Sequence, residues 1–96
     1  MGLRLEWDRR KAALNLRKHR VTFDEASTVF RDPLASIFDN ENCSEREVRE
    51  IIIGHSILGR LLIVCFTERA NGVIRIVSAR VATKNEKRDY EERKSV

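Results

Sequence analysis

The chain contains several short stretches, some with alternating hydrophobic and polar residues and some continuously apolar, and these stretches predict a β-sheet. The first is LRLEW at residues 3–7, and the longer ones are VREIIIG at 48–54, RLLIVCFTE at 60–68 and VIRIVSAR at 73–80. A period of two places successive side chains on opposite faces of a strand. Together with the short apolar segment LASIF at 34–38, the pattern predicts five strands.

Three further segments predict helices, because each follows a residue that can cap a helix amino terminus. Asp8 precedes the first, RRKAALNLRKH. Thr22 and Glu25 have the spacing of a capping box at the start of the second, FDEASTVF, which ends before a proline. Thr83 and Glu86 repeat that spacing at the start of the third, KNEKRDYEERK. The predicted helices cover residues 9–19, 23–30 and 84–94.

The predicted order of elements is β-α-α-β-β-β-β-α. This order describes an α+β fold with a small, mainly antiparallel sheet, two N-terminal helices and one C-terminal helix. With 96 residues, the chain suits a single domain over residues 1–96. Tyr90 is the one large apolar residue of the C-terminal helix. A helix without an apolar stripe is not held by its own burial, so we expect it to dock through Tyr90 or to be covered by another chain.

The dipeptide Asn71-Gly72 separates the last two predicted strands and is a strong local signal for a β-hairpin. If it forms a two-residue turn, counting outward places Glu68 opposite Arg75 on one face of the strand pair. Arg80 then falls on the other face, unless a β-bulge changes its direction. A Glu68–Arg75 pair is either an exposed ion pair worth about 0.2–1 kcal/mol or part of a charged site.

The clustering of arginines on this hairpin favours a charged site that binds a phosphodiester. A guanidinium group offers a planar pair of donors that matches phosphate oxygens. Metal-free RNA cleavage needs a base for the 2′-hydroxyl proton, cations at the phosphate oxygens and an acid for the leaving oxygen. The predicted catalytic residues are His19, Glu68, Arg75, Arg80 and Tyr90, and the predicted RNA-binding residues are Lys18, Arg69 and Lys84.

Several of these residues also have a structural interpretation. His19 can exchange a proton near neutral pH, but a histidine at a helix carboxyl terminus is also favoured by the helix dipole. Tyr90 can donate a hydrogen bond or stack on a base, but its helix needs an anchor. Trp7 is interpreted as a core or interface residue, and His55, in the segment GHSILG, as a solvated loop residue.

The overall composition permits nucleic-acid binding without requiring it. The chain has 19 Lys and Arg against 15 Asp and Glu, a formal net charge of +4. Cys43 and Cys65 show neither metal-ligand spacing nor a disulfide framework, so no metal or cofactor is expected. The longest apolar run, LLIVCF, is too short to span a bilayer, and the first residues lack an apolar signal segment. A cytoplasmic protein without membrane contact is predicted.

The ordered motifs resemble one known family. LEWD, K…N…KH.VTFDEA..VF.DP, R...IG, GRLL.V..TER and RI.SAR.AT..E...YE occur in the same order as in the BrnT toxins of bacterial type II toxin–antitoxin systems. The resemblance covers about residues 5–91. One departure is Arg20, where the family usually has a glycine suited to a left-handed helix end; if that conformation is kept, we expect mild strain at Arg20.

The resemblance implies a fold related to the RelE-like ribonuclease toxins and an RNA-cleaving toxin. It implies neutralisation by a BrnA-type antitoxin with a ribbon-helix-helix domain, contact with operator DNA only through that antitoxin, and assemblies such as a dimer of toxin–antitoxin heterodimers. The candidate residues within the matching motifs are Lys18, His19, Glu68, Arg69, Arg75, Arg80 and Tyr90.

Two other functions are consistent with the residues. The chain could be a non-catalytic partner module that acts as a co-repressor with a DNA-binding antitoxin, in which case it should be harmless when expressed alone. It could also be a general nucleic-acid binder, with affinity that falls steeply with salt. The sequence lacks the interleaved aromatic residues typical of single-strand binders, so this last function ranks below the others.

Overall fold

The computed structural model describes residues 3–39 and 49–95, and within these ranges it contains a five-stranded sheet and three α-helices. In chain order the elements are β1 (Arg4–Trp7), α1 (Arg9–His19), α2 (Phe23–Thr28), β2 (Ser36–Asp39), β3 (Arg49–His55), β4 (Leu61–Glu68), β5 (Val73–Val81) and α3 (Lys84–Ser95). Short 3-10 turns follow α2 (Val29–Arg31) and precede β5 (Ala70–Gly72). The predicted polar loop after β2, with Cys43, lies largely outside the described residues.

The strands lie in the order β1-β5-β4-β3-β2, with β1 parallel to β5 and every other pairing antiparallel. The predicted α+β class with a mainly antiparallel sheet is therefore confirmed. The central strand β4 is buried on both faces over Leu61–Val64, which explains its continuous apolar run. One face carries the main core, in which Leu62 and Val64 pack against α2 residues such as Phe23 and Ala26.

Helices α1 and α2 begin at the residues that the sequence indicates. The Asp8 carboxylate accepts hydrogen bonds from the backbone N–H groups of Arg10 and Lys11 at 2.7 and 3.3 Å. The Thr22 hydroxyl accepts from the backbone N–H of Glu25 at 3.0 Å, which satisfies one orphan donor of the helix. These two caps fix where α1 and α2 begin. The two helices form one layer against the main core, and this layer is called the helix layer below.

A buried asparagine joins α1 to the sheet. Asn15 donates to the carbonyl groups of Val21 and Ala79 at 2.9 and 2.8 Å, and its own oxygen accepts from the Ala79 backbone N–H at 3.0 Å. The short β1 pairs with β5 only as far as Ile76. Asn15 thus satisfies backbone groups that β1 does not reach, as a further strand residue would do.

Helix α1 ends with a left-handed residue, so Arg20 keeps the conformation that suits the glycine usual at this position in the BrnT sequences. Arg20 has φ 59° and ψ 32°, and its backbone N–H donates to the Leu16 carbonyl at 2.9 Å. A side chain in this region costs about 1–2 kcal/mol relative to right-handed backbone. Arg20 therefore holds a conformation that a glycine would adopt without strain.

The predicted hairpin register is wrong near the turn. The connection contains three residues, Ala70 to Gly72, and the Arg69 backbone N–H donates to the Val73 carbonyl at 2.7 Å. Because the loop is one residue longer than predicted, Glu68 lies opposite Ile74 and Arg75 lies opposite Thr67.

A β-bulge then restores the predicted register farther from the turn. Phe66 pairs with Ile76 but Cys65 pairs with Ser78, so Val77 is the extra residue. Beyond it Ile63 pairs with Arg80. The bulge reverses the alternation of side chains along β5, and this reversal decides where the arginines point.

Helix α3 lies on the opposite face of the sheet from the helix layer, and Tyr90 is its single buried residue among the positions whose burial is described, 84–93. The predicted capping box forms in full, because the Thr83 N–H donates to the Glu86 carboxylate at 2.8 Å and the Glu86 N–H donates to the Thr83 hydroxyl at 3.2 Å. Of the two alternatives expected for this helix, the structure shows docking through Tyr90.

Within residues 3–39 and 49–95, no helix has the length and apolar character needed to cross a membrane.

Candidate functional site

Arg75 and Arg80 lie on the same face of the sheet, the one that α3 partly covers and that is called the α3 face below. Their cross-strand neighbours are Thr67 and Ile63. These neighbours alternate along β4 with the core residues Leu62, Val64 and Phe66, so they face away from the main core. Without the bulge at Val77 the two arginines would point to opposite faces.

The spacing along β4 separates the two arginines. Thr67 and Ile63 are four residues apart, which corresponds to roughly 13 Å at about 3.3 Å per residue. Arg75 and Arg80 therefore occupy two positions along one surface. The geometry suits two phosphates of an extended strand better than one phosphate held by both residues.

Arg75 has acidic neighbours on β1 and at the start of α1. Its guanidinium lies 3.6 Å from the Glu6 carboxylate, and both side chains are partly exposed. The backbone N–H groups of Arg10 and Lys11 lower the pKa of Asp8, and the positive charge of Arg75 lowers it further. Glu68, the predicted partner, is exposed and lies opposite Ile74 instead.

Thr67 lies between two arginines on the α3 face. It pairs with Arg75 on one side and with Arg49 of β3 on the other. Thr67 is 4% exposed, and its hydroxyl has no hydrogen-bond partner among the described residues. Arg49 was not selected from the sequence, because its place beside Thr67 depends on the β3–β4 register.

Arg80 is held by a bidentate ion pair. Its two terminal nitrogens donate to the two oxygens of Glu86 at 2.7 and 2.8 Å. Arg80 is the main cause that lowers the pKa of Glu86 to about 2, and the pair raises the pKa of Arg80. Both side chains remain 34–41% exposed, so solvent and ligands reach this pair.

Tyr90 is anchored at the far side of the α3 face. Its hydroxyl donates to the Leu34 carbonyl at 2.8 Å, and the residue is 7% exposed. Burial, and then the negative charge of Asp32, raise the pKa of the hydroxyl. Tyr90 is therefore protonated at neutral pH, and its hydrogen-bonding group is already used to hold α3.

His55 stands beside Tyr90, and sequence reasoning gave it the wrong structural setting. It is the last residue of β3, not a loop residue, and its ring meets the Tyr90 ring edge to face at 5.9 Å between centroids. Its Nδ1 lies 3.8 Å from the Asp32 carboxylate, and its side chain is 48% exposed. The contact with Tyr90 links positions 35 residues apart, which no local motif reveals.

The other predicted residues lie in three separate places. Lys18 and His19 form the end of α1 in the helix layer, while Glu68 and Arg69 lie at the turn end of the hairpin. Lys84 is exposed in the first turn of α3. Of the eight selected residues, the structure thus brings Arg75, Arg80 and Tyr90 to one face, and the other five lie elsewhere.

A cleft of 290 Å³ opens on the α3 face between α3 and the outer strands. Its lining combines apolar residues of the sheet with charged residues near or on α3. The residues are Ser36, Phe38, Ile51, Ile53, Ile63, Arg80, Glu86, Asp89, Tyr90 and Arg93.

Residues 7–86 match the family model described as "Ribonuclease toxin, BrnT, of type II toxin-antitoxin system". The fold is similar to the crystal structure of the Brucella abortus ribonuclease toxin BrnT, with a TM-score of 0.68, 20% sequence identity, and coverage of 86% of this chain and 100% of that one. No curated protein sequence matches. Tyr90 lies beyond the matched residues, whereas the other seven selected residues lie within them. Because the family model spans most of its length, the chain belongs to the BrnT family of ribonuclease toxins of type II toxin–antitoxin systems.

Proposed function

We propose that the chain is a metal-independent endoribonuclease that cleaves RNA on the α3 face and thereby inhibits translation and growth. The observation that carries this proposal is the bulge at Val77, which places Arg75 and Arg80 on one open surface. A single-stranded RNA running along β5 there would meet a cation at two successive positions. The family match supports the ribonuclease class, and the placement of the arginines supports this face as the RNA path.

The proposed chemistry is attack of the ribose 2′-oxygen on the neighbouring phosphorus, with departure of the 5′-oxygen. Arg80 would stabilise the charge that develops on the phosphate oxygens, exchanging its bond with the exposed Glu86 for one with the substrate. Arg75, which is partly exposed on the same face, would position the adjacent phosphate. These roles use groups that are already fixed on strands, so little reorganisation is needed.

His55 is our candidate for proton transfer on this face. It is exposed, it lies against Tyr90, and its Nδ1 is 3.8 Å from the Asp32 carboxylate. His19 and Glu68 were selected from the sequence for the same role, but they lie in the helix layer and at the hairpin end. Tyr90, whose hydroxyl bonds Leu34, would position the imidazole through its ring rather than exchange a proton.

Type II toxins are neutralised by protein antitoxins, and we propose a BrnA-type ribbon-helix-helix protein as the partner. In this proposal the complex acts in the cytoplasm as a dimer of heterodimers and contacts operator DNA only through the antitoxin. We also propose that the fold is related to that of the RelE-like ribonucleases, which also cleave RNA.

RNA decay by the purified chain in EDTA tests the proposal. We expect cleavage without added metal, and losses of about a hundredfold in Arg75→Ala and Arg80→Ala, because each removes a preorganised donor to the phosphate. His55→Ala should lose at least as much, with little change in His19→Ala. Arg17→Ala, which removes an exposed arginine from α1, is the matched control and should cleave normally.

Arg80→Ala also removes the ion pair to Glu86, so Glu86→Gln is a necessary second control. It breaks the same pair but keeps the guanidinium, and it should retain cleavage. If Arg80→Ala and Glu86→Gln lost cleavage activity equally, the role of Arg80 would be structural, through its ion pair with Glu86. Full dependence on magnesium would rule out the metal-free mechanism.

One observation favours the non-catalytic partner module as the second candidate. Arg60, Arg75 and Arg80 all have carboxylate partners within the chain, as expected if arginines serve stability. Growth after induction of the chain alone separates the two functions. A nuclease stops growth, and a partner module does not.

A further inference from the structure

We infer that the cleft between α3 and the sheet binds a single unpaired guanine base, read by Asp89. This inference rests on the proposed function, because it places RNA on the α3 face. It goes beyond that function by assigning a base-binding site to residues that lie partly outside the segment matched by the family model.

The size and lining of the cleft suit one planar ring. Its volume of 290 Å³ is at the lower end of the roughly 300–1,000 Å³ typical of small-molecule sites. The β-branched side chains of Ile51, Ile53 and Ile63 form an apolar floor from neighbouring strands. A nucleobase is apolar on its faces and polar at its edges, and this floor would cover one face.

A cation and an aromatic ring stand together at the rim. The Arg93 guanidinium carbon lies 5.2 Å from the centre of the Phe38 ring. Phe38 is 37% exposed and projects from the edge strand β2. Arginine planes and aromatic rings are the two kinds of side chain on which single-stranded bases stack. The rim therefore offers a stacking partner at the entrance to the apolar floor.

The two carboxylates of the cleft differ in what they already bind. Both oxygens of Glu86 are occupied by Arg80, and one also accepts from the Thr83 N–H. Asp89 is exposed, and among the described residues its carboxylate has neither an ion pair nor a hydrogen-bond donor. Asp89 is thus the acceptor that remains available to a ligand in the cleft.

The chemistry of a carboxylate selects guanine among the four bases. An ionised carboxylate only accepts hydrogen bonds, with two oxygens side by side. Guanine presents two adjacent donors, N1–H and the exocyclic amino group, on its Watson–Crick edge. Adenine and cytosine present one donor beside an acceptor, and uracil presents one donor between acceptors. Of these edges, guanine alone matches both carboxylate oxygens.

Non-cleavable 2′-O-methyl oligonucleotides test the inference without using nuclease activity. One tetranucleotide carries a single guanine among uridines, and a second carries inosine, which lacks the exocyclic amino group, at the same position. We expect the full chain to bind the guanine oligonucleotide about tenfold more tightly, because one hydrogen bond to a charged group is lost with inosine. Isothermal titration calorimetry or fluorescence anisotropy gives this ratio directly.

Asp89→Asn sharpens the test, because asparagine offers one acceptor and one donor and so matches adenine. In this variant we expect the ratio of guanine affinity to inosine affinity to fall to about one. We also expect an adenine oligonucleotide to bind more tightly than the guanine oligonucleotide, and about tenfold more tightly to the variant than to the unsubstituted chain. Glu92→Gln removes the same charge from an exposed position of α3 that does not line the cleft. This control should keep the guanine preference, even if general affinity rises.

Equal binding of guanine and inosine, or an unchanged ratio in Asp89→Asn, would overturn the inference. Concentration-dependent self-association that shields Phe38 and Asp89 would also overturn it, since the cleft would then receive a second copy of the chain. Guanine discrimination without RNA cleavage would leave the base site standing and sink the nuclease proposal. Cleavage without discrimination would do the reverse.

Discussion

Two glutamate–arginine pairs hold helices to the sheet, and they differ mainly in burial. In the helix layer, Glu25 of α2 accepts hydrogen bonds from the Ser56 hydroxyl at 2.7 Å and from Arg60, whose Nε lies at 2.9 Å and whose terminal nitrogen is also in contact. On the α3 face, Glu86 accepts two bonds from Arg80. The Glu25 side chain is 6% exposed and the Glu86 side chain is 34% exposed.

The buried pair belongs to a hydrogen-bond network that joins three parts of the chain. Arg60 also donates to the carbonyl of the left-handed Arg20 at 3.2 Å, and the Ser56 hydroxyl accepts from the Leu58 N–H at 3.2 Å. The network therefore ties the end of α1, the start of α2 and the β3–β4 turn together. Removing one member leaves a buried charge or donor without a partner, which is expensive.

The exposed pair can exchange partners at small cost. Solvent screens it, and water can solvate either group when the pair opens. An arginine in this setting can release its carboxylate and take a phosphate with the same bidentate geometry. The difference teaches that burial of the carboxylate partner, more than the ion pair itself, separates a structural arginine such as Arg60, whose partner Glu25 is 6% exposed, from one available to a ligand, such as Arg80, whose partner Glu86 is 34% exposed.

The largest expected effect is at Glu25. Glu25→Gln removes the carboxylate charge of a side chain that is 6% exposed and weakens its bonds with Arg60 and Ser56, and we expect a loss of about 3 kcal/mol in the free energy of unfolding. The melting temperature should fall by roughly 15 °C. Urea denaturation measures the loss. Asp24→Asn, an exposed neighbour in the same helix, should cost less than about 1 kcal/mol. Similar losses in both variants would show that the network does not act through burial.

A change at Gly54 tests packing on the same buried side. An added Cβ would lie 2.8 Å from the Ala35 Cβ, 3.0 Å from an oxygen of the Asp32 carboxylate and 3.1 Å from a methyl group of Val29. Gly54→Ala should therefore destabilise the protein by about 2 kcal/mol through overpacking. Chemical denaturation measures it, with Ile57→Ala, at a 78% exposed position, as the control that should stay within about 0.5 kcal/mol. If Gly54→Ala were as stable as the unsubstituted chain, Ala35 and Val29 would have to move aside at little cost.

On the exposed side, Glu86→Gln should cost only about 1 kcal/mol, since it weakens a screened pair and half of a capping box. The loss should appear as faster amide hydrogen exchange along α3, with exchange in β4 unchanged. Glu92→Gln on the same helix should leave both regions unaltered. A loss as large as that of Glu25→Gln would erase the contrast between the two pairs.

The pH dependence gives the smallest and most specific effect. The folded-state pKa of Glu86 is about 2, below its ordinary value of 4.5. The pair therefore contributes its full stability above pH 4.5 and loses it as the pH falls toward 2. The gap in unfolding free energy between the unsubstituted chain and Glu86→Gln should narrow over this range. A gap that stays constant down to pH 2.5 would contradict the pairing.

Local signals in the sequence predicted the elements well. Asp8, Thr22 and Thr83 each cap the helix that they precede, because capping depends on residues within one turn. Tyr90 was expected to anchor α3, since the sequence offers that helix no other large apolar side chain. The α+β class followed from counting such segments.

Features that join distant residues were predicted less well. The Glu68–Arg75 pair failed because one added loop residue shifts the whole register. Glu25 was expected to complete a capping box, but its carboxylate bonds Ser56 and Arg60 instead, about thirty residues away. His55 and Arg49 were missed because their neighbours come from other strands or from α3.

By itself, the sequence determined the helices, the strands, the α+β class and the family to which the chain belongs. These depend on periodicity and on motifs read along the backbone. The tertiary structure alone decided which charges share a surface, because a one-residue bulge at Val77 turns Arg80 to the side of Arg75 and away from Glu68. A side chain's face depends on pairing between strands, and pairing is a property of the folded chain rather than of any local segment.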